Sequence, residues 1–517
     1  MAPPRRRRPA PPRVLLPTLP AFLALQARRC RDAGGLVARD GRVPYGSIAE
    51  ATSALADWLA RRGIGAGDAV GVMAANQPAL VALLYAVWGL GAVAVPVSVR
   101  SKEEETVRVL AHARACALAC DPARADVARA AAATAGVPAF VCGPELPLAP
   151  RVLRRASLRP HAPRDPSPTT LAAIAYTSGS TGSPKGVMLT HANLQWAAFA
   201  CAQARGDDAS GVGASLSPLT HVPVLVSHLL CRVLLGATVV LFERFDTATL
   251  LDATARHRIT DLPLIGGMVF DVVAMGAVPA DVARSVRKVS VGGAPTPMES
   301  KRALARIFPD AEIIEAYGQT ESTDGVLMAR GRSVLEREGT VGRPNPHVVV
   351  ALRRPDGWLV DGADEGEIVV GGPTVMQGYY RNADATRAAL RDGWLHTGDL
   401  ARRDAEGYVY LSGRVKDLII TGGENVSPLE VEEVLRRHPA VADVAVIGTP
   451  HPRFGEQVTA VVVRRDGAVL DADALAAFAS THLAGFKKPR RVEFVASLPR
   501  NAYNKVQTHV LKKEFGA

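Results

Sequence analysis

The sequence is poor in cysteine and lacks a long uninterrupted apolar run. Its six cysteines are scattered over 517 residues, and the close pair Cys116 and Cys120 has no second pair of ligands near it. This spacing indicates neither a disulfide framework nor a zinc site, so we expect a reducing, cytoplasmic location. No run of about 18 apolar residues occurs, so stable membrane insertion is not predicted.

The positive charge of the chain is concentrated at its start. The formal net charge is +11, and the arginines at positions 5 to 8 and 13 supply five of the positive charges. We predict that residues 1–19 form a disordered basic leader. Pro17 and Pro20 interrupt the apolar stretch around them, which favours an amphipathic helix after Pro20 over a secretory signal. The remaining chain is mildly basic, which suits anionic small molecules and predicts no nucleic-acid partner.

Strand-like and helix-like segments alternate along most of the chain, and 48% of the residues are hydrophobic. This alternation predicts an α/β fold with a large layered N-terminal domain that contains parallel strands. After Gly413 the pattern restarts as about 100 residues of α+β character, enough for a small core. We therefore predict an N-terminal domain over residues 20–413 and a small mobile C-terminal domain over residues 414–517. The predicted strands include residues 69–74, 92–97, 117–120, 237–242, 348–352, 444–447 and 458–463.

The most informative motif is YTSGSTGSPKG at residues 176–186, where glycines and hydroxyl groups precede a lysine. Glycines let backbone N–H groups approach phosphate oxygens, and the hydroxyls and the lysine add donors and charge. Residues 171–175 predict a buried strand in front of the motif, and open α/β sheets bind ligands at the carboxyl ends of strands. Pro184 directly before Lys185 excludes a Walker loop. A flexible linker is the weaker alternative to nucleotide binding.

Further motifs follow the phosphate loop in a fixed order. They are a small-residue turn at 292–294, YGQTE at 317–321, WLHTGD at 394–399, GRVKD at 413–417 and NAYNKV at 501–506. In order and spacing they resemble the adenylate-forming superfamily of acyl-CoA synthetases, peptide-synthetase adenylation domains and firefly luciferases. The resemblance runs from about residue 20 to the C-terminus, and the ordered set is far more specific than any single motif.

The resemblance implies ATP-dependent activation of a carboxylic acid, in which cations and fixed donors offset repulsion between anions. Lys505 resembles the catalytic lysine of adenylation, Lys185 a catalytic phosphate contact, and Glu321 the Mg²⁺ ligand. Asp399 resembles the carboxylate that accepts the ribose hydroxyls, with Arg414 beside it. The other implied nucleotide contacts are Thr177, Ser178, Ser180, Thr181, Gly293, Ala294, Pro295, Tyr317, Gly318 and Thr320.

A second group of residues resembles the acyl- and aryl-CoA ligase branch, and NAYNKV is most similar to chlorobenzoate–CoA ligases. Ile420 stands where luciferases carry a lysine, which argues against luciferase-type oxidation. The resemblance makes Lys416 the hinge about which the C-terminal domain turns between two half-reactions. Basic residues suit the phosphates of coenzyme A. The implied coenzyme A contacts are Gly422, Gly423, Phe454, Phe486, Lys488 and Arg490.

The acid-binding pocket is the part that the sequence determines least. His221 resembles a histidine that lies over the acyl site in related ligases, and a structural histidine is the open alternative. For Asp324 we favour a solvated turn residue; the alternative is a pocket carboxylate that selects amino- or hydroxy-substituted aromatic acids. The other implied pocket residues are Val222, Gly266, Gly267, Ala316 and Thr323.

These interpretations combine into one expected activity. The acid reacts with ATP to give an acyl-adenylate and pyrophosphate, and then with coenzyme A to give a thioester and AMP. We expect ATP, Mg²⁺ and coenzyme A as cofactors and a substituted aromatic or other small or medium acid as substrate. The alternative acceptors are a carrier protein, an amine or a small inorganic nucleophile. The sequence leaves the assembly open, with a homodimer as one option.

Overall fold

The computed structural model describes most of the chain. The described residues are 17–30, 34–39, 41–141, 166–177, 185–293, 296–354, 356–357, 365–500 and 506–516.

Most of the helices lie between strands, as the alternating pattern predicts. The α-helices are Leu19–Arg29, Tyr45–Ala60, Pro78–Gly89, Glu103–Ala113, Ala125–Ala135, His191–Arg205, Val222–Val224, Cys231–Leu235, Thr247–His257, Gly267–Ala274, Ala280–Ser285, Met298–Ile307, Arg332–Glu336, Ala383–Ala389, Pro428–Arg436, Ala472–His482 and Thr508–Phe515. A π-helical turn occupies Leu225–Leu230, and short 3₁₀ turns occupy Pro122–Arg124 and Thr320–Ser322.

The strands are numbered in chain order. Strands β1 to β8 are Gly35–Ala38, Gly41–Pro44, Ala69–Met73, Val93–Pro96, Ala115–Cys120, Ala139–Val141, Leu171–Thr177 and Lys185–Thr190. Strands β9 to β21 are Val212–Ser215, Thr238–Leu241, Asp261–Ile265, Lys288–Gly292, Glu312–Gly318, Gly325–Arg330, Thr340–Pro344, Val349–Arg353, Gly366–Gly371, Gly378–Tyr379, Leu390–Arg391, Trp394–Arg403 and Val409–Arg414. Strands β22 to β26 are Ile419–Thr421, Glu424–Val426, Val441–His451, Gly455–Arg464 and Arg491–Phe494.

One sheet of the N-terminal region has seven strands in the order β18-β8-β7-β4-β3-β5-β6. Neighbouring strands in the series β7-β4-β3-β5-β6 are parallel. Strands β7 and β8 form an antiparallel hairpin. Strand β18 is antiparallel to β8 and closes that side. The hairpin therefore carries the two ends of the YTSGSTGSPKG motif at one side of a parallel core.

A second sheet of 14 strands runs in the order β16-β17-β20-β21-β15-β14-β13-β12-β11-β9-β10-β1-β2, with β19 paired to β20. Strands β11, β12 and β13 are parallel neighbours, and Ile265, Gly292 and Ala316 lie in one row across them. Because this row stands at the carboxyl ends of the strands, the turns that follow it meet at one edge of the sheet.

A helix that is apolar on every side lies in the core of the N-terminal region. Pro78–Gly89 has the sequence PALVALLYAVWG, and a helix without a polar face is stable only when it is surrounded by other apolar groups. It belongs to a large apolar cluster with side chains from both sheets, such as Val70 of β3 and Val239 of β10. Trp88 Nε1 donates to the Ala172 carbonyl at 2.9 Å, which ties this helix to β7.

The C-terminal region folds around a separate sheet. Strands β22 to β26 form five strands in the order β23-β22-β25-β24, with β26 parallel to β25. Val431 and Leu435 of one helix and Leu475 of another pack on this sheet in a core of its own. The predicted α/β fold class with a large N-terminal and a small C-terminal domain is confirmed, and the division at residue 414 stays a prediction.

Predicted elements agree well with the observed ones. The helix Ala472–His482 has the predicted bounds, and the helix expected after Pro20 runs over Leu19–Arg29. In the C-terminal region the strands are longer than predicted, because β24 and β25 continue as a hairpin at both ends. Within the described ranges, no helix is long and apolar enough to span a bilayer.

Candidate active site

A carboxylate held by two donors marks one end of the candidate site. Asp399 of β20 lies opposite Arg414 of β21 in the sheet, and the residue is 7% exposed. Tyr317 Oη donates to Asp399 Oδ2 at 2.6 Å, and Arg414 Nε donates to Oδ1 at 2.5 Å. Burial, and after it the charge of Asp399, raise the pKa of Tyr317 well above its ordinary value, so its hydroxyl remains a donor.

The turns beside Tyr317 are shaped by glycine. Gly293 follows β12 with φ of 75°, a left-handed conformation that favours glycine. A Cβ on Gly318 would lie 2.2 Å from the Asp324 carbonyl oxygen, so only glycine fits there. The sheet register thus brings Gly293, Tyr317 and Gly318 to one edge, as the sequence predicts. Ala294 and Pro295 lie outside the described residues.

A second carboxylate lies in the turn that follows β13. Glu321 stands in the 3₁₀ turn that begins at Thr320, and Tyr379 Oη donates to Glu321 Oε1 at 2.8 Å. Lys185 Nζ lies 5.1 Å from the centroid of the Tyr379 ring. Burial, and after it Glu321, raise the pKa of Tyr379, so this tyrosine also remains a donor. A carboxylate, a tyrosine and a lysine therefore meet at this turn.

The phosphate-binding motif is described only at its two ends. Thr177 at the end of β7 pairs with Lys185 at the start of β8. Ser178, Ser180, Thr181 and the predicted catalytic Lys505 lie outside the described residues. Their roles stay predictions from the sequence.

Lys416 stands two residues after Arg414, the ion-pair partner of Asp399. Arg414 ends β21, Val415 N donates to the Gly398 carbonyl at 2.9 Å, and Asp417 N donates to the Arg414 carbonyl at 3.1 Å. Partial burial lowers the pKa of Lys416, and Arg414 and Lys185 lower it further. The turn that contains Lys416 therefore lies near the cations of both ends of the site, between the second sheet and the C-terminal sheet.

The residues predicted to line the acid pocket stand on three elements of the fold. His221 precedes the short helix Val222–Val224, and its surroundings lower its pKa to about 4 by burial, so the ring is neutral near pH 7. Gly266, with φ of 59°, precedes the helix that begins at Gly267, and Ala316 lies in the same row of strands as Ile265. A π-helical turn follows the His221 segment, and such turns are frequent at functional sites.

Asp324 is buried, which makes the favoured interpretation of a solvated turn residue wrong. It is 8% exposed, and among the described residues its Oδ2 atom has no hydrogen-bond partner. Burial raises the pKa of its carboxyl group to about 7. The neighbouring Thr323 has φ of 71°, a strained conformation for a β-branched residue, and its hydroxyl donates to the Thr374 carbonyl at 2.5 Å.

The C-terminal region places part of the predicted coenzyme A set together. Gly422 and Gly423 form the turn between β22 and β23, and Gly422 N donates to the Phe454 carbonyl at 2.8 Å. The Arg490 guanidinium lies 4.3 Å from the centroid of the Phe454 ring. Phe486 packs against the core of the region instead. Lys488 follows Lys487, whose Nζ pairs with Glu430 at 2.7 Å.

Sequence reasoning missed the aromatic and basic partners of these groups. Tyr379 holds Glu321, and the sequence offered only a glycine followed by two tyrosines, a pattern without specific chemistry. Arg453, 5.4 Å from the Phe454 ring centroid, adds a second cation on that face. Its position directly before Phe454 was the available signal.

Comparisons with known proteins agree with this geometry. Residues 23–380 match the family model "AMP-binding enzyme", and residues 430–505 match "AMP-binding enzyme C-terminal domain". The chain belongs to the AMP-binding enzyme family. A feruloyl-CoA synthase of an Amycolatopsis species is 37% identical over 487 residues, which cover 91% of this chain and 94% of the relative. A 2-succinylbenzoate–CoA ligase of Bacillus cereus is 30% identical over 513 residues, covering 96% and 99%.

A solved structure of this family has the same architecture. The o-succinylbenzoate CoA synthetase of Bacillus subtilis, in complex with an acyl-adenylate intermediate, superimposes with a TM-score of 0.83 at 28% identity and covers 95% of this chain and 97% of its own. The resemblance to acyl- and aryl-CoA synthetases is thereby confirmed. This AMP-binding enzyme is an AMP-forming acid–CoA ligase that uses ATP, Mg²⁺ and coenzyme A.

Proposed function

We propose that this ligase activates a substituted aromatic acid, or another acid of small to medium size, at the edge formed by β11, β12 and β13. The observation that carries the proposal is the pair of carboxylates, Asp399 and Glu321, each of which accepts a hydrogen bond from a tyrosine hydroxyl. Asp399 suits the sugar of a nucleotide, and Glu321 suits its metal-bound phosphates.

Asp399 and Arg414 would hold the ribose. A carboxylate that accepts from Tyr317 and Arg414 has lone pairs left, and it can accept further hydrogen bonds from sugar hydroxyls. Tyr317, Gly293 and Gly318 lie beside it and offer a flat, narrow face for the adenine. In this arrangement the carboxylate binds and orients the nucleotide and takes no part in proton transfer.

The donor set near Glu321 fits Mg²⁺. Among the described residues, no group of three or more His, Cys, Asp or Glu side chains could hold a metal alone. Mg²⁺ is commonly held by one or two carboxylates together with substrate phosphates, so a single fixed carboxylate suffices. Glu321 would be the ligand, and the ion would neutralise phosphate charge. Thr320 and Lys185 would contact the phosphates from the protein side.

Lys505 and Lys185 would supply the positive charge for the first half-reaction. The acid carboxylate attacks the α-phosphate of ATP, the bond from the α- to the β-phosphate breaks, and pyrophosphate leaves. Both reactants are anionic, so positioned cations stabilise the transition state more than a base would. The neutral, partly buried His221 would line the acid pocket, with Val222, Gly266, Gly267 and Ala316.

The C-terminal region would serve the second half-reaction. A turn at Lys416 would withdraw Lys505 and present the glycines Gly422 and Gly423 with Phe454 to the adenylate. Arg490 beside Phe454 would meet the phosphates of coenzyme A, with Phe486 and Lys488 nearby. The thiol sulfur then attacks the acyl carbon and AMP leaves.

Two of the relatives support the proposed acid class. One is named a feruloyl-CoA synthase and another a 2-succinylbenzoate–CoA ligase, and both names denote substituted aromatic acids. The buried Asp324 adds a specific hypothesis, because an amino or hydroxyl substituent on the ring could donate to its unpartnered Oδ2 atom. We expect a preference for such acids over plain alkanoates.

The first experiment is a screen of acids by exchange of labelled pyrophosphate into ATP. Hydroxy- and amino-substituted aromatic acids should give the highest kcat/KM, and Asp324→Ala should reduce this preference more than it slows an unsubstituted analogue. A variant with the wild-type ranking of acids would contradict the role of Asp324 and leave the ligase activity intact.

The second experiment concerns the acceptor. Acid-dependent AMP formation is measured with and without coenzyme A, and the thioester is detected directly. We expect coenzyme A to accelerate AMP formation and to appear as the acyl thioester. AMP formation without a thioester would favour transfer to a carrier protein, an amine or an inorganic nucleophile. The cytoplasmic location, the lack of a nucleic-acid partner and a homodimeric assembly stay predictions.

A further inference from the structure

One short segment touches both the phosphate hairpin and the turn that carries Glu321. We call residues 373–380 the clasp; they follow β17 and include β18. On the hairpin side, Gln377 N donates to the Met188 carbonyl at 3.0 Å, and Tyr380 N donates to the Gly186 carbonyl at 2.7 Å. On the other side, Met376 N donates to the Glu321 carbonyl at 2.9 Å. The clasp therefore spans the gap between Lys185 and Glu321.

Asn193 anchors the start of the clasp. Its Nδ2 group donates to the Pro373 carbonyl at 2.7 Å and to the Val375 carbonyl at 2.8 Å. Its Oδ1 atom accepts from Thr190 N at 2.9 Å and from Thr190 Oγ1 at 2.8 Å. Asn193 is 7% exposed, and its amide makes four hydrogen bonds, the full capacity of two donors and two lone pairs.

The position of Asn193 in the chain explains its reach. Thr190 ends β8 and caps the helix His191–Arg205, so Asn193 in the first turn of that helix is rigidly tied to the phosphate hairpin. The carbonyl of Thr374, between the two that Asn193 holds, accepts from Thr323 on the Glu321 turn. Three successive carbonyls of the clasp are thus fixed alternately by the hairpin side and by the Glu321 side.

Resting on the function proposed above, we propose that Asn193 is a positioning residue that sets the distance between the phosphate hairpin and the Glu321 carboxylate through the clasp. Asn193 touches neither the nucleotide nor the acid. A shift of the clasp would move Tyr379, and with it the hydrogen bond that orients Glu321. The effect would be confined to the half-reaction in which the β- and γ-phosphates are present, because pyrophosphate has left before thioester formation.

Asn193→Asp tests this directly. The aspartate keeps an oxygen for Thr190 and loses both donors to the clasp. We expect pyrophosphate exchange to fall about tenfold or more and the half-saturating Mg²⁺ concentration to rise several-fold. Thioester formation from a supplied acyl-adenylate should stay within about twofold of the wild type, because that step needs no pyrophosphate group.

Thr190→Val is the matched control. It removes the helix cap and one hydrogen bond to Asn193 Oδ1 but leaves both donors to the clasp in place, so it reports loss of stability alone. We expect a lower Tm with an unchanged ratio of the two half-reactions. Equal loss of both half-reactions in Asn193→Asp, or the same Mg²⁺ dependence as the wild type, would overturn the positioning role.

A measurement on the unmodified enzyme covers the case in which Asn193→Asp does not fold. Hydrogen exchange at the amides of Met376, Gln377 and Tyr380 should slow when MgATP binds, and slow less with ATP in a chelator. Unchanged exchange at all three amides would overturn the inference. Failure of the wild type to exchange pyrophosphate with any acid would instead contradict the proposed function.

Discussion

Two buried carboxylates, Asp399 at the predicted nucleotide end and Asp324 at the predicted acid end, have opposite surroundings. At the nucleotide end, both oxygens of Asp399 accept hydrogen bonds, from Tyr317 and from Arg414. Asp324, which the sequence assigns to the acid pocket, is buried to nearly the same degree, yet its Oδ2 atom has no partner among the described residues, and burial raises its pKa to about 7. Both oxygens of Asp399 are satisfied by the protein, whereas the Asp324 carboxyl interacts with Gly325 and Cys201 and keeps one oxygen, Oδ2, without a hydrogen-bond partner among the described residues.

The difference follows from what each end must recognise. The sugar and phosphates of ATP are the same in every turnover, so their partners can be fixed in advance by sheet register and tyrosine hydroxyls. The acid varies between relatives, and a buried polar atom without a partner discriminates strongly between substrates that carry a donor and those that do not. The comparison predicts that variants at the nucleotide end change rate and that variants at the acid end change selectivity and stability.

The largest effect is expected at Lys505. If this lysine stabilises charge only during adenylation, Lys505→Ala should reduce acid-dependent pyrophosphate exchange by on the order of 10²-fold or more. A supplied acyl-adenylate should still react with coenzyme A at a rate near that of the wild type. Equal loss of both half-reactions would remove the argument that one lysine serves one step.

Asp324→Asn should change how stability depends on pH. The folded-state pKa of about 7 lies above the ordinary value of 3.8, so the neutral acid stabilises the wild type at low pH and this contribution is lost as pH rises from about 4 to 7. The Asn variant lacks that loss. Its free energy of unfolding relative to the wild type should rise by on the order of 3 kcal/mol across this range. Denaturant titrations at pH 4, 5.5 and 7 check this, and a constant difference would show that Asp324 does not titrate there.

Lys416→Pro should separate the two half-reactions in the opposite sense from Lys505→Ala. Proline fixes φ near −65°, so it should leave adenylation measurable but slow thioester formation by about tenfold or more. Lys416→Ala, which loses the side chain and keeps backbone freedom, is the comparison and should be affected less in the second step. If proline leaves thioester formation as fast as alanine does, the rotation is centred elsewhere.

Tyr379→Phe should show the smallest of these effects. Loss of the hydroxyl removes the donor that orients Glu321, and partners of a metal ligand typically contribute about tenfold or more to metal affinity or activity. We expect pyrophosphate exchange to fall about tenfold at low Mg²⁺ and to recover partly at high Mg²⁺. Tyr380→Phe, one residue along, should respond far less. If high Mg²⁺ does not restore pyrophosphate exchange in Tyr379→Phe, the role of Tyr379 in metal binding is contradicted.

The fold could be predicted from the sequence because its signals are local, whereas the nucleotide contacts stay predictions. Strand and helix periodicity gave the layers, and glycines with special backbone angles, such as Gly293, stand within recognisable motifs. Asp399 and Arg414 also lie in separate motifs that the sheet brings together. To predict that Asp399 and Arg414 pair, one must know the register of β20 against β21, and the sequence gives only the order of the two motifs.

The acid end and the supporting contacts could not be predicted in the same way. Whether Asp324 is solvated or buried depends on packing against the helix His191–Arg205, more than a hundred residues earlier in the chain. The role of Asn193 could not be predicted from the sequence for the same reason, because its two acceptors lie about 180 residues away. Side chains whose partners are distant backbone carbonyls leave no motif at either position.

The strand that closes the ribose end also leads into the proposed hinge. Arg414 grips Asp399 and stands two residues before Lys416, and Val415 is fastened to Gly398. A C-terminal region that swivels at Lys416 would therefore leave the AMP half of the reactive anhydride seated throughout. The enzyme would exchange the C-terminal groups of one half-reaction for those of the other while the acyl-adenylate stays bound. Little acyl-adenylate should therefore be released into solution between the two steps.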